Sequence, residues 1–231
     1  MTKPPLITRV EPRGPRGLRV LIHLDADEPI EITLEALELS RLGVGDPLPP
    51  DARRNLLETD ADVRVRGAAL NLLSYRARTR LELKTKLRQK GYGADRIDTC
   101  LDRLEQRGLL DDAAVAAAHV RDRLLHRPRG KAQLASELRA KGLDTETASD
   151  TIDRVFNDQG ATDTDLAREA AEGWLRRQGA AMVTGLAGPS GPERDKAKRR
   201  LHGYLARRGF RGEAMTRAME RAAELAADGA S

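Results

Sequence analysis

Apolar positions along the chain fall into two regimes. In the first 60 or so residues they come in short runs: Leu6 to Val10, Leu18-Arg19-Val20-Leu21-Ile22-His23-Leu24, and Ile30-Glu31-Ile32-Thr33-Leu34. The last two flank Asp25-Ala26-Asp27-Glu28-Pro29, a turn-forming stretch, and predict a β-hairpin, with Leu6–Val10 as a third strand. Glu35–Leu42 reads as a short helix ended by Gly43 and Gly45, and Pro47, Pro49 and Pro50 then break regular structure. From about residue 60 the spacing changes to the three-and-four step of amphipathic helices and keeps it to near the end.

The helical part repeats itself. Leu87-Arg88-Gln89-Lys90-Gly91-Tyr92 returns as Leu138-Arg139-Ala140-Lys141-Gly142-Leu143 and again as Leu205-Ala206-Arg207-Arg208-Gly209-Phe210, at offsets of 51 and 67. The same alignment pairs Leu83, Leu134 and Leu201, then Ile97, Ala148 and Met215, then Leu101, Ile152 and Met219, then Leu104, Val155 and Ala222. Upstream, Leu73, Leu124 and Leu175 are each 51 apart, so the third copy carries 16 extra residues, read as an insertion loop near 179–195. Each copy predicts three helices, in the first at roughly 62–76, 79–90 and 94–107. Gly91, Gly142 and Gly209 stand where a left-handed residue ends the second helix, and the cation before each suits the helix's negative end. Asp111 or Asp112 and Asp144 are helix-capping residues.

The resulting expectation is a mainly α protein of three tandem three-helix, helix-turn-helix-like repeats behind a small β-hairpin segment. Its divisions fall at 1–58, 59–108, 109–159 and 160–231. Units too small to bury their own apolar faces suggest an elongated stack rather than one bundle.

Composition supports the division. Ala and Leu supply 65 of the 91 apolar residues, while nine of the 15 Val and Ile lie before residue 67. Aromatic residues are only 3%, which argues against base stacking on aromatic platforms. One cysteine excludes a disulfide framework and a cysteine-based metal site. No apolar run approaches the ~20 residues of a membrane span, and Met1–Pro5 leads into no signal-peptide core. A soluble cytoplasmic monomer without a cofactor is expected.

Net charge is +5, and residues 68–107 alone carry +5. Within them Arg76, Arg78, Arg80, Lys84, Lys86, Arg88 and Lys90 face one acid between 76 and 90, Glu82. Arg80, Lys84 and Arg88 are spaced i, i+4, i+8, a stripe that can follow a phosphate backbone or an acidic protein groove. A solvated helix face is the plain alternative. Copy two adds Arg121, Arg123, Arg127, Arg129 and Lys131; copy three adds Arg194, Lys196, Lys198, Arg199, Arg200, Arg207, Arg208 and Arg211. Positions 80, 131 and 198 are all basic, as are 90, 141 and 208, which suits a periodic polyanionic partner if the copies stack.

Catalytic signatures are missing. Gly130-Lys131 lacks the rest of a phosphate-binding loop, and the four histidines have no metal-ligand spacing. Cys100 and Trp174 sit beside core positions and read as packed. A duplex-reading helix-turn-helix regulator is the competing class. Asn71 and Gln89 are the only amide side chains between 56 and 105, so contact with phosphates is better supported than base readout.

These residues carry a resemblance. Arg76, Arg78, Thr79, Leu83, Lys86-Leu87 and Lys90-Gly91 follow an Ala-Leu helix. Then come Gly108-Leu109-Leu110-Asp111-Asp112, Val115-Ala116 and Val120-Arg121-Asp122-Arg123, and finally Gly130 and Leu138–Leu143. Over about 75 residues this order resembles the RecX regulatory proteins of bacteria. Val115 stands where that family has Phe, Glu82 lies one position before the family's acid, and the 16-residue insertion is extra. The resemblance implies tandem three-helix repeats without enzymatic activity. It also implies binding to the RecA recombinase in the groove of its filament on single-stranded DNA. There such proteins limit filament growth, ATP hydrolysis, strand exchange and coprotease activity. Weak sequence-independent DNA binding goes with that role. The partner-facing candidates are Arg76, Arg78, Arg80, Lys84, Lys86, Arg88, Lys90, Arg121, Arg123, Arg127, Lys131, Lys141, Lys198 and Arg208.

Overall fold

The computed structural model describes residues 3–14 and 17–229; Met1, Thr2, Pro15, Arg16, Ala230 and Ser231 lie outside them. The chain forms two compact units, residues 1–110 and 111–231.

The first unit begins with three antiparallel strands in the order β1 (Ile7–Arg13), β2 (Arg19–Leu24), β3 (Ile30–Thr33). Opposite pairs Val20↔Ile32 and Ile22↔Ile30 put four branched side chains on one face, all buried. Alternation along the strands leaves Arg19 and Glu31 outside, where they pair at 3.1 Å. Helix α1 (Leu34–Ser40) follows, capped by Thr33. It ends earlier than the glycines suggest, at Arg41, a left-handed non-glycine residue with φ of 53°.

The prolines do not all break structure. Pro50 is the first residue of α2 (Pro50–Tyr75), where a missing N–H costs nothing because that donor has no partner inside the helix. At 26 residues α2 is about 39 Å long. It runs straight through residues 58 and 59. Its Leu56 and Val63 turn to the sheet, whereas Val65 and Ala69 turn to the next two helices. Two apolar faces on one helix blur the amphipathic period, which is why the spacing predicts a start only near 62. Asp60, 5% exposed, accepts the Thr33 backbone N–H at 2.7 Å and so pins α2 to the end of β3.

Helices α3 (Arg80–Gln89) and α4 (Ala94–Gln106) complete the first repeat over Leu83, Leu87, Ile97, Leu101 and Leu104. The second unit holds α5 (Asp112–His126), α6 (Lys131–Ala140) and α7 (Thr145–Gln159). It continues with α8 (Asp163–Leu175), α9 (Ala180–Ala187), α10 (Pro192–Arg207) and α11 (Gly212–Asp228). All six aligned leucines, at 83, 87, 134, 138, 201 and 205, are fully buried. The 16-residue insertion is not a loop. Half of it is α9, whose Leu186 is buried in the core of the second unit. Its glycines bound the helices, Gly179 and Gly188 at the ends of α9 and Gly191 before α10, with one internal position, Gly185.

The same C-terminal turn recurs three times. Tyr92, Leu143 and Phe210 donate their N–H to Leu87, Leu138 and Leu205, across glycines with φ of 88°, 101° and 85°. Each turn satisfies carbonyls left over at the helix end and folds an apolar side chain back on the helix. In the third copy it also makes a joint. Gly130 N–H, at the start of α6, donates to the Arg208 carbonyl at 2.9 Å. A Cβ on Gly209 would stand 2.5 Å from the Gln133 nitrogen, and one on Gly130 2.6 Å from the Gly209 carbonyl oxygen. The second and third copies therefore meet backbone to backbone and share one core that includes Phe156, Leu201 and Phe210.

Candidate partner-binding surface

The basic residues separate into those held inside a repeat and those left facing solvent. Arg80 on α3 reaches Asp102 at 2.6 Å and Glu105 at 3.0 Å on α4, and Lys84 reaches Asp98 at 2.6 Å. Two members of the i, i+4, i+8 stripe thus tie α3 to α4. Lys131 on α6 repeats the first of these bonds, at 2.6 Å from Asp153 on α7, and lies 5.0 Å over the Phe156 ring. Asp153 is 51 residues after Asp102, so the recurrence of a cation at 80 and 131 is matched by a recurrent acid. Burial lowers the Arg80 guanidinium, but the bonds to Asp102 and Glu105 outweigh it and hold it above its ordinary value.

Other candidates are also engaged. Arg76 pairs with Glu82 at 3.0 Å, and Arg78 Nε donates to the Leu72 carbonyl at 3.1 Å. Arg123 donates to Glu137 at 3.0 Å, beside His119, whose Nε2 lies 2.7 Å from the same carboxylate. Burial pushes the Glu137 carboxyl up, yet the bonds to His119 and Arg123 prevail and hold it below its usual range. Arg208 sits in the joint, donating to the Pro128 carbonyl at 3.1 Å and stacked 4.5 Å over Tyr204. Burial lowers its guanidinium, and Arg129, Arg177 and Arg127 lower it further. Lys141 is half-buried at the end of α6. Asp111 caps α5 by accepting the Ala114 N–H at 2.8 Å, and Asp112 is the first residue of that helix.

Lys86, Arg88, Lys90, Arg121, Arg127 and Lys198 are exposed and form no ion pair among the described residues. Lys86 only approaches Gln89 at 3.2 Å. The structure adds a group that the sequence marks as basic but does not place. Lys196, Arg199, Arg200 and Arg207 of α10 line a shallow cleft of about 510 Å³ with Trp174 and Gln178. A second cleft, of about 260 Å³, lies in the first unit between α2 and α4. Its wall includes Arg66, Arg96, Arg103 and Arg107 over Cys100. Arg66 is held by Glu35 and Arg96 by Asp62. Cys100 is 7% exposed, and burial pushes its thiol up, away from the reactive thiolate.

The comparisons with known proteins converge. Residues 66–104 match the first three-helix domain of RecX, and residues 111–152 match the second. A regulatory protein RecX of Mycobacterium sp. (strain JLS) is 40% identical over 153 residues, 66% of this chain and 78% of its own. The chain belongs to the RecX family. The regulatory protein RecX of Mycolicibacterium smegmatis is 38% identical over 70% of this chain and 80% of its own. A crystal structure of a regulatory protein RecX superposes with a TM-score of 0.70 at 22% identity, over 94% of this chain and 99% of that one. RecX from Lactobacillus salivarius superposes with a TM-score of 0.56 at 24% identity, over 72% and 98%. These two likenesses establish the fold. No helix among the described residues is long and apolar enough to cross a membrane.

Proposed function

We propose that this chain is a non-enzymatic negative modulator of a RecA recombinase, acting on its filament on single-stranded DNA as a cytoplasmic monomer. Membership of the RecX family carries the reading, through a relative named as a regulatory protein and 40% identical over 78% of its length. The repeats support it, since each offers exposed cations on or beside a helix: Lys86, Arg88 and Lys90 in the first, Arg121 and Arg127 in the second, Lys198 in the third. These would meet DNA phosphates or an acidic recombinase face. Arg80, Lys84, Arg123, Lys131 and Arg208 would serve by holding the repeats in shape. The deciding experiment titrates the protein into RecA, ATP and single-stranded DNA. ATP hydrolysis and strand exchange fall as the protein approaches the filament's stoichiometry; rates unchanged at equimolar protein sink the reading.

A further inference from the structure

A dense cluster of basic side chains, all but one without an ion pair among the described residues, lies in the third repeat, beyond the two matched domains. Lys196, Arg199, Arg200 and Arg207 lie on α10, with 196, 199 and 200 at helical steps of three and four and 207 seven residues on, and so share one helical face about 16 Å long. Among the described residues Arg199, Arg200 and Arg207 form no ion pair, and Lys196 has only Glu193, at 3.7 Å. No carboxylate lines the cleft. Like charges held this close repel, so their arrangement calls for an anion.

Gly203 lines the cleft from inside α10, a position where glycine is disfavoured relative to alanine. A Cβ there would approach the Arg207 guanidinium to 3.2 Å. The missing side chain leaves room for Arg207 to lie across its own helix. Trp174, 7% exposed, forms part of the floor.

We infer that this cleft is a phosphodiester-binding site, occupied by the backbone of one nucleic-acid strand along the α10 cation row. The row's length fits a few consecutive phosphates. Its single helix and shallow floor grip one strand and do not wrap a duplex. The inference rests on the proposed function only in expecting the strand to be single-stranded DNA. Contact is with phosphates, so it is independent of base sequence and steeply dependent on salt.

Oligothymidylate and a duplex of equal length are titrated into the full chain at several salt concentrations. Anisotropy of the labelled DNA and emission of Trp174, the chain's one tryptophan, are followed together. Arg199→Glu with Arg200→Glu weakens single-strand binding by about tenfold or more. It also flattens the log–log salt slope by about 1.4, at ~0.7 for each of the two phosphates that no longer meets a cation. Lys86→Glu with Arg88→Glu on α3 has the smaller effect. Trp174 emission changes saturably with oligothymidylate and reverts at high salt. Arg207→Gln, a milder change, weakens binding in the same direction, and circular dichroism checks that each variant is folded.

Binding within twofold of the parent in the α10 double variant overturns the inference, as does an unchanged Trp174 signal at saturation. Tighter duplex binding through the same residues overturns the single-strand assignment. If the double variant keeps oligothymidylate binding but no longer restrains RecA, the cleft takes an acidic protein surface instead and the inference fails. If the parent binds DNA through α10 yet leaves RecA activity untouched, the proposed function fails and the cleft stands.

Discussion

At the scale of single residues, glycines with one sequence signature have different jobs. Gly91 and Gly209 both take a left-handed conformation after a cation-ended helix. Around Gly91 nothing lies within reach of an added Cβ, whereas at Gly209 the Gln133 backbone stands 2.5 Å away. Gly91→Ala should therefore cost only the left-handed penalty, about 1–2 kcal/mol. Gly209→Ala should cost clearly more, because the joint to Gly130 must open as well. Urea unfolding of the two variants checks the order; equal losses would mean that the close approach contributes nothing. The sequence shows the shared glycine but not the difference, because Gln133 lies 76 residues away and arrives there only through packing.

Between elements, the ion pairs follow the repeat. Arg80–Asp102 and Lys131–Asp153 join the second and third helices of two copies at the same repeat positions. Acids that recur with the cations are their signal in the sequence. Partly exposed pairs of this kind contribute roughly 0–1 kcal/mol each. They fix the angle between helices more than they hold the fold together. The Glu137 cluster between α5 and α6 gives a pH signature. Its carboxyl lies below the ordinary value of 4.5 in the folded chain, so its contribution to stability is fully present above about pH 4.5. It is lost as pH falls through the lower folded value. Glu137→Gln should accordingly destabilise the second unit at neutral pH, and the gap to the parent should close in acid. A gap that stays constant from about pH 7 to about pH 3 would rule out this carboxylate as the cause.

For the molecule as a whole, each unit has cores of its own. Leu56 and Val63 meet the sheet side chains in the first, while Phe156 packs with Leu201, Leu205 and Phe210 in the second. Leu56→Ala should cost about 2–5 kcal/mol and Phe156→Ala about 3–5 kcal/mol. Each loss should appear in amide-hydrogen exchange only within its own unit. Protection falling in both units after either change would show that they unfold together. Four helices in the third copy, rather than three, follow from the insertion: α9 presents Leu186 to the shared core and so adds apolar surface.

The sequence by itself determined the repeated helical unit, its buried leucine seam, its glycine-ended helices and the small antiparallel sheet. Each of these is governed by local periodicity, capping and turn chemistry. It also marked which segments are basic. Tertiary structure alone decided what those charges do. Whether Arg80, Lys84 or Lys131 meets solvent or an acid depends on residues 14 to 25 positions away along the chain, brought beside it by packing. It likewise decided that α2 serves both the sheet and the first repeat, that the insertion is a helix, and that Gly130 and Gly209 meet. Only folding, finally, brought Trp174 of α8 beside the α10 cation row, because a cleft is made by two helices and written in neither.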